Sequence, residues 1–149
     1  MAQRNVWPFQ APEEVRPLEY LDAELDALWN QLWHLEDQVR RGEALKLTED
    51  VRDLLRRAAP TVAIHETEAE RDLASAERAT ELLREIRARI REGSSRLSDA
   101  LHRMYSLRNA GDLDGACQQM RGLLAVEVVP LYRDIAQGQL EQLARRSPQ

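Results

Sequence analysis

The stretch Arg84–Tyr105, REIRARIREGSSRLSDALHRMY, decides the fold class. Its apolar residues Ile86, Ile90, Leu97 and Leu101 are separated by four, seven and four positions, the recurrence of one face of an α-helix. Gly93, Ser94 and Ser95 interrupt the composition but not the phase, since Ile90 and Leu97 lie two helical turns apart. The expectation is therefore one continuous rod; a cap at Gly93 with a second helix restarting before Leu97 is the alternative. Upstream, Leu73, Ala76 and Leu83 carry the same stripe back to about Thr67. Downstream, Asn109-Ala110-Gly111-Asp112 couples a glycine stop to an aspartate N-cap, the chemistry of a tight turn between helices.

The same rules extend to both ends. Leu18, Leu21, Leu25, Leu28, Leu32, Leu35 and Val39 form an amphipathic helix that Arg40, Arg41 and Gly42 should stop. Thr48, followed by Glu49 and Asp50, supplies an N-cap for a short helix through Val51, Leu54, Leu55 and Ala58, ended by Pro60. Thr61–Ile64 reads as a buried connector. The last helix carries Leu113, Ala116, Met120, Leu124, Leu131 and Ile135 to near Arg146, with Pro130 inside it. A kink near Val126–Val129 is expected there, the alternative being a short strand ending at Val129 and a new helix from Pro130. Pro8, Pro12 and Pro17 exclude a helix through residues 1–17, which read as an extended arm. The expected protein is all-α: a single-domain bundle of four to five helices over residues 18–146, with a tail at 147–149. Its long central helix packs antiparallel to the first and last, and its C-terminal helix is proline-kinked.

Composition narrows the function classes. Only 12 of 149 residues are Gly or Pro, which excludes collagen-like and largely disordered chains. Twenty Arg and one Lys, Lys46, face 26 acids for a net charge of −5, a balance that disfavours a dedicated nucleic-acid binder. Cys117 is the sole cysteine, so no internal disulfide is possible. Neither a signal peptide nor an apolar run of membrane-spanning length is evident, and the cytoplasm is the expected address with no membrane partner.

From roughly Trp29 to Ala144 the chain resembles the DUSAM domain family, small bacterial proteins of unassigned function. The stretches that carry the likeness are GEALKLTEDVRDLLRRAAPTVAI (Gly42–Ile64), REIRARIREGSSRLSDALHRMY (Arg84–Tyr105), AGDLDGACQQM (Ala110–Met120) and LLAVEVVPLYRDIAQGQLEQL (Leu123–Leu143). The resemblance implies no catalytic residues.

Chemical constellations are absent from the pattern. No glutamate is followed three residues later by histidine, as a di-iron bundle requires; Asp99 with His102 is the nearest approach, a single two-ligand pair. His34, His65 and His102 are dispersed, and no HExxH, CxxC, GxSxG, Walker or GxGxxG motif occurs. No metal, cofactor or catalytic residue is expected, and Cys117, beside Ala116, reads as core. Glu66, Glu68 and Glu70 read as complements to a helix dipole. Arg84, Arg87 and Arg91 on one flank of the long helix, and Arg89, Arg96 and Arg103 on the other, are interleaved with Glu81, Glu85, Glu92 and Asp99. They read as arms snorkelling over a core and paired at the surface.

Two features exceed a plain bundle. Trp7, Phe9, Tyr20, Trp29 and Trp33 are five of the seven aromatics and all precede residue 34. They either fold back on the first helix or anchor a partner. On the last helix Val129, Tyr132, Leu140 and Leu143 project away from the main stripe, so that helix is either central in the bundle or faces a second chain. Glu127 falls inside the stripe, where a buried carboxylate requires an arginine, Arg89 or Arg96, unless the bend at Pro130 turns it to solvent. The functional expectation is a non-catalytic protein-interaction module with an unknown protein partner and a plausible homodimer. A small-ligand sensor with a pocket near Pro130 is the second expectation, and an enzyme the third.

Overall fold

The computed structural model describes residues 23–146. Six α-helices occupy them: α1 (Ala23–Arg40), α2 (Glu49–Thr61), α3 (Glu66–Asp72), α4 (Ala76–Asn109), α5 (Leu113–Val126) and α6 (Pro130–Arg146). No strand occurs among the described residues. The described residues form two compact units, one running to Arg91 and the other starting at Glu92, so α4 contributes its first half to one and its second half to the other.

The count of six exceeds the expected four to five for two local reasons. The pattern read as one helix from about Thr67 is divided at Leu73–Ser75, where the Ser75 hydroxyl accepts the Arg78 amide at 3.2 Å and starts α4 anew. The last pattern is likewise two helices, α5 and α6, and not one kinked helix. Pro130 has no amide to donate and disfavours helical backbone at Val129, so α5 ends at Val126 and α6 begins at the proline. At Gly93–Ser95, by contrast, α4 is continuous. Gly93 and Ser94 are buried and bridge the gap in the apolar stripe between Ile90 and Leu97.

In the unit ending at Arg91, Leu28, Trp29 and Leu32 of α1 are buried, as are Leu54, Leu55, Ala58 and Ala59 of α2 and Leu82, Leu83, Ile86 and Ile90 of α4. The Thr48 hydroxyl caps α2 by accepting the Val51 amide at 3.2 Å. Pro60 does not end α2; the helix continues to Thr61, and the chain reverses at Ala63, whose φ of 63° is left-handed. Ala63 donates to Pro60 O and Ile64 to Ala59 O, closing the helix as a glycine ordinarily would. Arg89 holds this reversal from α4, its Nη1 donating to Val62 O at 2.9 Å and Ala63 O at 3.2 Å. At the end of α1 the corresponding left-handed residue is Gly42, as the sequence suggests.

A carboxylate lies inside this unit. Glu36 of α1 is 7% exposed and accepts Arg87 Nε at 3.0 Å, Arg91 Nη1 at 3.3 Å and Arg40 Nη2 at 3.4 Å. Burial alone would raise its pKa, but the hydrogen bond and charge of Arg87, with those of Arg91, outweigh it and hold the carboxyl below its ordinary value of 4.5. The sequence reading placed the acidic partners of these arginines on α4 itself; for Arg87 and Arg91 the partner comes from α1, 51 and 55 residues away.

The unit beginning at Glu92 buries Leu97, Leu101 and Met104 of α4, Ala116, Met120 and Leu123 of α5, and Leu131, Tyr132, Ile135 and Leu143 of α6. Gly111, with φ of 87°, and Asp112, whose carboxylate accepts the Gly115 amide at 2.8 Å, make the expected turn between α4 and α5.

Replacing Glu36 by alanine strands Arg87 in the interior, and the stability loss in urea titrations at neutral pH is expected to be about 3–5 kcal/mol. A carboxyl whose folded pKa is depressed contributes stability that is complete above the unfolded value and disappears as pH falls through the folded one. The gap between wild type and Glu36→Ala therefore narrows below about pH 4.5. Equal gaps at neutral and acidic pH would count against the pairing.

Candidate interaction surface

The corner between α5 and α6 is built around Glu127. Its backbone N–H still donates to Leu123 O at 2.8 Å, but its ψ of 136° is extended and takes the chain out of the helix. Over the next residues the backbone alternates as a strand does: Glu127 and Val129 point inward, Val128 outward. The Glu127 side chain then satisfies the two amides just before α6, its Oε2 accepting Val128 N at 3.1 Å and Val129 N at 3.0 Å. Oε1 accepts Arg96 Nε at 3.2 Å. Arg133 closes the end of α5 by donating Nη1 to Leu124 O at 2.6 Å and Glu127 O at 2.8 Å.

Gly93 makes room for this corner. A Cβ at position 93 would lie 2.7 Å from Glu127 Oε2 and 2.8 Å from the Tyr132 ring. The glycine in the middle of α4 is thus a notch that admits a carboxylate and an aromatic ring, not a break.

Because 127 and 129 turn inward, two valines are left outside. Val126 is 60% exposed and Val128 41%. Val126 also forms one rim of a groove of about 330 Å³ between α4 and α5, floored by Ala100, Gly122 and Leu123. Arg96 and Arg103 flank it, and Arg103 Nε donates to Gln119 Oε1 at 2.7 Å. The surface is apolar at one end and cationic along its side, with Asp99 between the arginines.

Other candidates lie elsewhere. Trp7 and Phe9 fall outside the described residues. Trp29 is 2% exposed and donates Nε1 to Thr61 Oγ1 at 3.0 Å, so it anchors α1 to α2. Trp33 is half-buried, edge-on to His34 with ring centroids 5.1 Å apart. Val129, Tyr132 and Leu143 are buried within the chain's own fold and Leu140 is half-buried, so the second apolar face of the last helix is interior, not a surface for a second chain. Of the two arginines proposed for Glu127, Arg96 is the partner; Arg89 pairs with Glu85 at 2.7 Å and clasps the Val62–Ala63 reversal. Glu127 does not face solvent, being 2% exposed. Cys117 is half-buried, not core. The exposed valines and the buried Glu36 escaped the sequence reading. The usable signal for the valines was Pro130, which disfavours helical backbone at Val129.

His65 Nδ1 caps α3 by accepting the Thr67 amide at 3.0 Å, and no group of three or more His, Cys, Asp or Glu among the described residues could hold a metal ion. No described helix is long and apolar enough to cross a membrane. A model of the family described as "protein of unknown function (DUF2379)" matches residues 27–143, more than half of the chain. The chain belongs to the DUF2379 family. No curated protein and no solved structure matches it. The DUF2379 match takes in all of α2 to α5, both buried carboxylates and the glycine notch.

Two measurements check this corner. Gly93→Ala is expected to destabilise by about 1–3 kcal/mol despite alanine's higher helix propensity, because the methyl meets Glu127 and Tyr132. Gly122→Ala, with nothing within 4 Å of its added Cβ, should stabilise by about 1 kcal/mol. Equal signs for the two would remove the notch. Glu127→Ala, which abandons two amides and an ion pair, should cost about 2–3 kcal/mol. Arg96→Ala should cost less, since its side chain is 38% exposed and the Val128 and Val129 amides keep Glu127 hydrogen-bonded. Chemical denaturation of both variants orders the losses.

Proposed function

We propose that this DUF2379 chain is a non-catalytic protein-interaction module whose contact surface is the Val126–Val128 corner and the adjoining groove between α4 and α5. The carrying observation is the exposure of Val126 and Val128, the large apolar residues most open to water among the described residues. Beside them, Ala100 and Gly122 leave a floor shallow enough to admit a side chain from a partner, with Arg96 and Arg103 placed to meet an acidic or carbonyl group. The likeness to DUSAM domains belongs to the same proposal, supported by the overlap of its four stretches with the matched family region. So does residence in the cytoplasm, supported by a chain held together by packing and ion pairs with one unpaired cysteine.

A small-ligand sensor is the second reading, favoured by a cleft of about 460 Å³ beside the loop joining α1 to α2, lined by Leu35, Val39, Leu45 and Val51. Its volume lies within the roughly 300–1,000 Å³ of ligand pockets. A metabolite that raises the melting temperature in proportion to its concentration would favour this reading.

The interaction proposal is tested with a photoreactive residue at position 128 and the paired variant Val126→Glu/Val128→Glu. The expected result is a discrete crosslinked species, with a partner or a second copy of the chain, that the paired variant loses while its stability shifts by no more than about 0.5 kcal/mol. Crosslinking that survives both substitutions removes this surface from consideration.

A further inference from the structure

Glu36 is met by more positive charge than it can neutralise. Arg87, with a side chain 11% exposed, forms the closest pair, Nε to Oε1 at 3.0 Å. That single pairing balances the buried carboxylate. Arg91 then reaches both oxygens through Nη1, at 3.4 and 3.3 Å, and Arg40 reaches Oε1 through Nη2 at 3.4 Å. Oε1 consequently receives N–H groups from three guanidiniums, although a carboxylate oxygen offers two lone pairs. The contacts of Arg40 and Arg91 are long beside the ~2.7–2.9 Å of well-formed charge-assisted bonds. These two side chains are also open, at 65% and 56% exposure.

Three cations around one carboxylate leave two positive charges in a chain whose net charge is −5. Among the described residues neither Arg40 nor Arg91 has a second carboxylate within ion-pair distance. The carbonyl end of α1 offsets part of the Arg40 charge, up to about half a unit, and the cluster stays cationic. Each of the two guanidiniums keeps unused donors, Nε and Nη1 on Arg40 and Nε and Nη2 on Arg91, while Glu36 ties down one edge of both. Drawing both guanidiniums toward one carboxylate in advance lowers part of the entropy lost when they take up a further group.

We infer that Arg40 and Arg91, held by Glu36, form a binding site for a single oxyanion, a phosphate or carboxylate group presented from outside the fold. A single compact anion suits the site better than a nucleic-acid backbone, because the acidic balance of the chain opposes a polyanion at long range. The site lies in the unit ending at Arg91 and stands independently of the valine surface.

The test follows the arginine Nε–H resonances of the full-length ¹⁵N-labelled chain at near-neutral pH during titration with sodium phosphate, with sodium acetate, and with sodium chloride at matched ionic strength. Saturable shifts at Arg40 and Arg91 in phosphate or acetate, absent in chloride, are expected; saturation in phosphate alone assigns a phosphate group, and saturation in both admits a carboxylate. Arg91→Gln should weaken binding about tenfold by removing charge-assisted hydrogen bonds. If that variant does not fold, Arg40→Gln serves, since its side chain is mostly exposed and makes one contact of 3.4 Å. Shifts that rise linearly and equally in all three salts overturn the site, as does an unchanged midpoint in the substituted chain.

Discussion

A carboxylate shut away from water requires a cation within hydrogen-bonding reach, and both buried acids among the described residues, Glu36 and Glu127, take theirs from α4. That requirement organises each unit in its own way. Around Glu36 the supply of guanidinium is in excess and the carboxylate serves as an anchor. Around Glu127 a single arginine suffices, because the same carboxylate is also occupied by two backbone amides. One side chain thus ends a helix, starts the next and ties the corner to α4. Substituting either acid disturbs more than one interaction, so their effects do not decompose into separate bonds.

The all-helical class and several boundaries were legible because they depend on local chemistry. Spacing of apolar residues gave the rods, and Thr48, Gly42, Gly111 and Asp112 marked their ends by caps that act within four or five residues. What was misread depended on competition between local preferences. Leu73–Ser75 preserves the apolar phase closely enough to pass for helix, and only the Ser75 hydroxyl betrays the restart. Pro130 admitted two geometries, and the kinked helix was preferred over the break that the structure adopts. The geometry of a continuous helix puts Glu127 in the apolar stripe, while a bend at Pro130 could equally turn it to solvent. It is inside, but by way of extended backbone and a glycine 34 positions upstream.

The interaction surface was illegible for a related reason. Counting residues at 100° each assigns Val126–Val129 to helix faces, whereas the true alternation through Glu127, Val128 and Val129 has a period of two. Tryptophan misled in the opposite direction. Trp29 looks like an anchor for a partner, yet its indole N–H is used within the fold by Thr61, which in turn donates to Ala58 O. Large aromatic residues are enriched in cores and interfaces alike, and only the partner of the polar edge tells them apart.

The notch at Gly93 carries one more implication. Gly-Ser-Ser has the composition of a flexible spacer, and it lies beside the boundary between the two compact units. Gly93 and Ser94 are nevertheless buried inside an unbroken helix, and cutting there would leave helix-end amides and carbonyls without partners. Proteases and inserted tags will therefore find no foothold at this Gly-Ser-Ser stretch; among the described residues the loop after α1, with exposed Arg41–Ala44, is the natural point of entry.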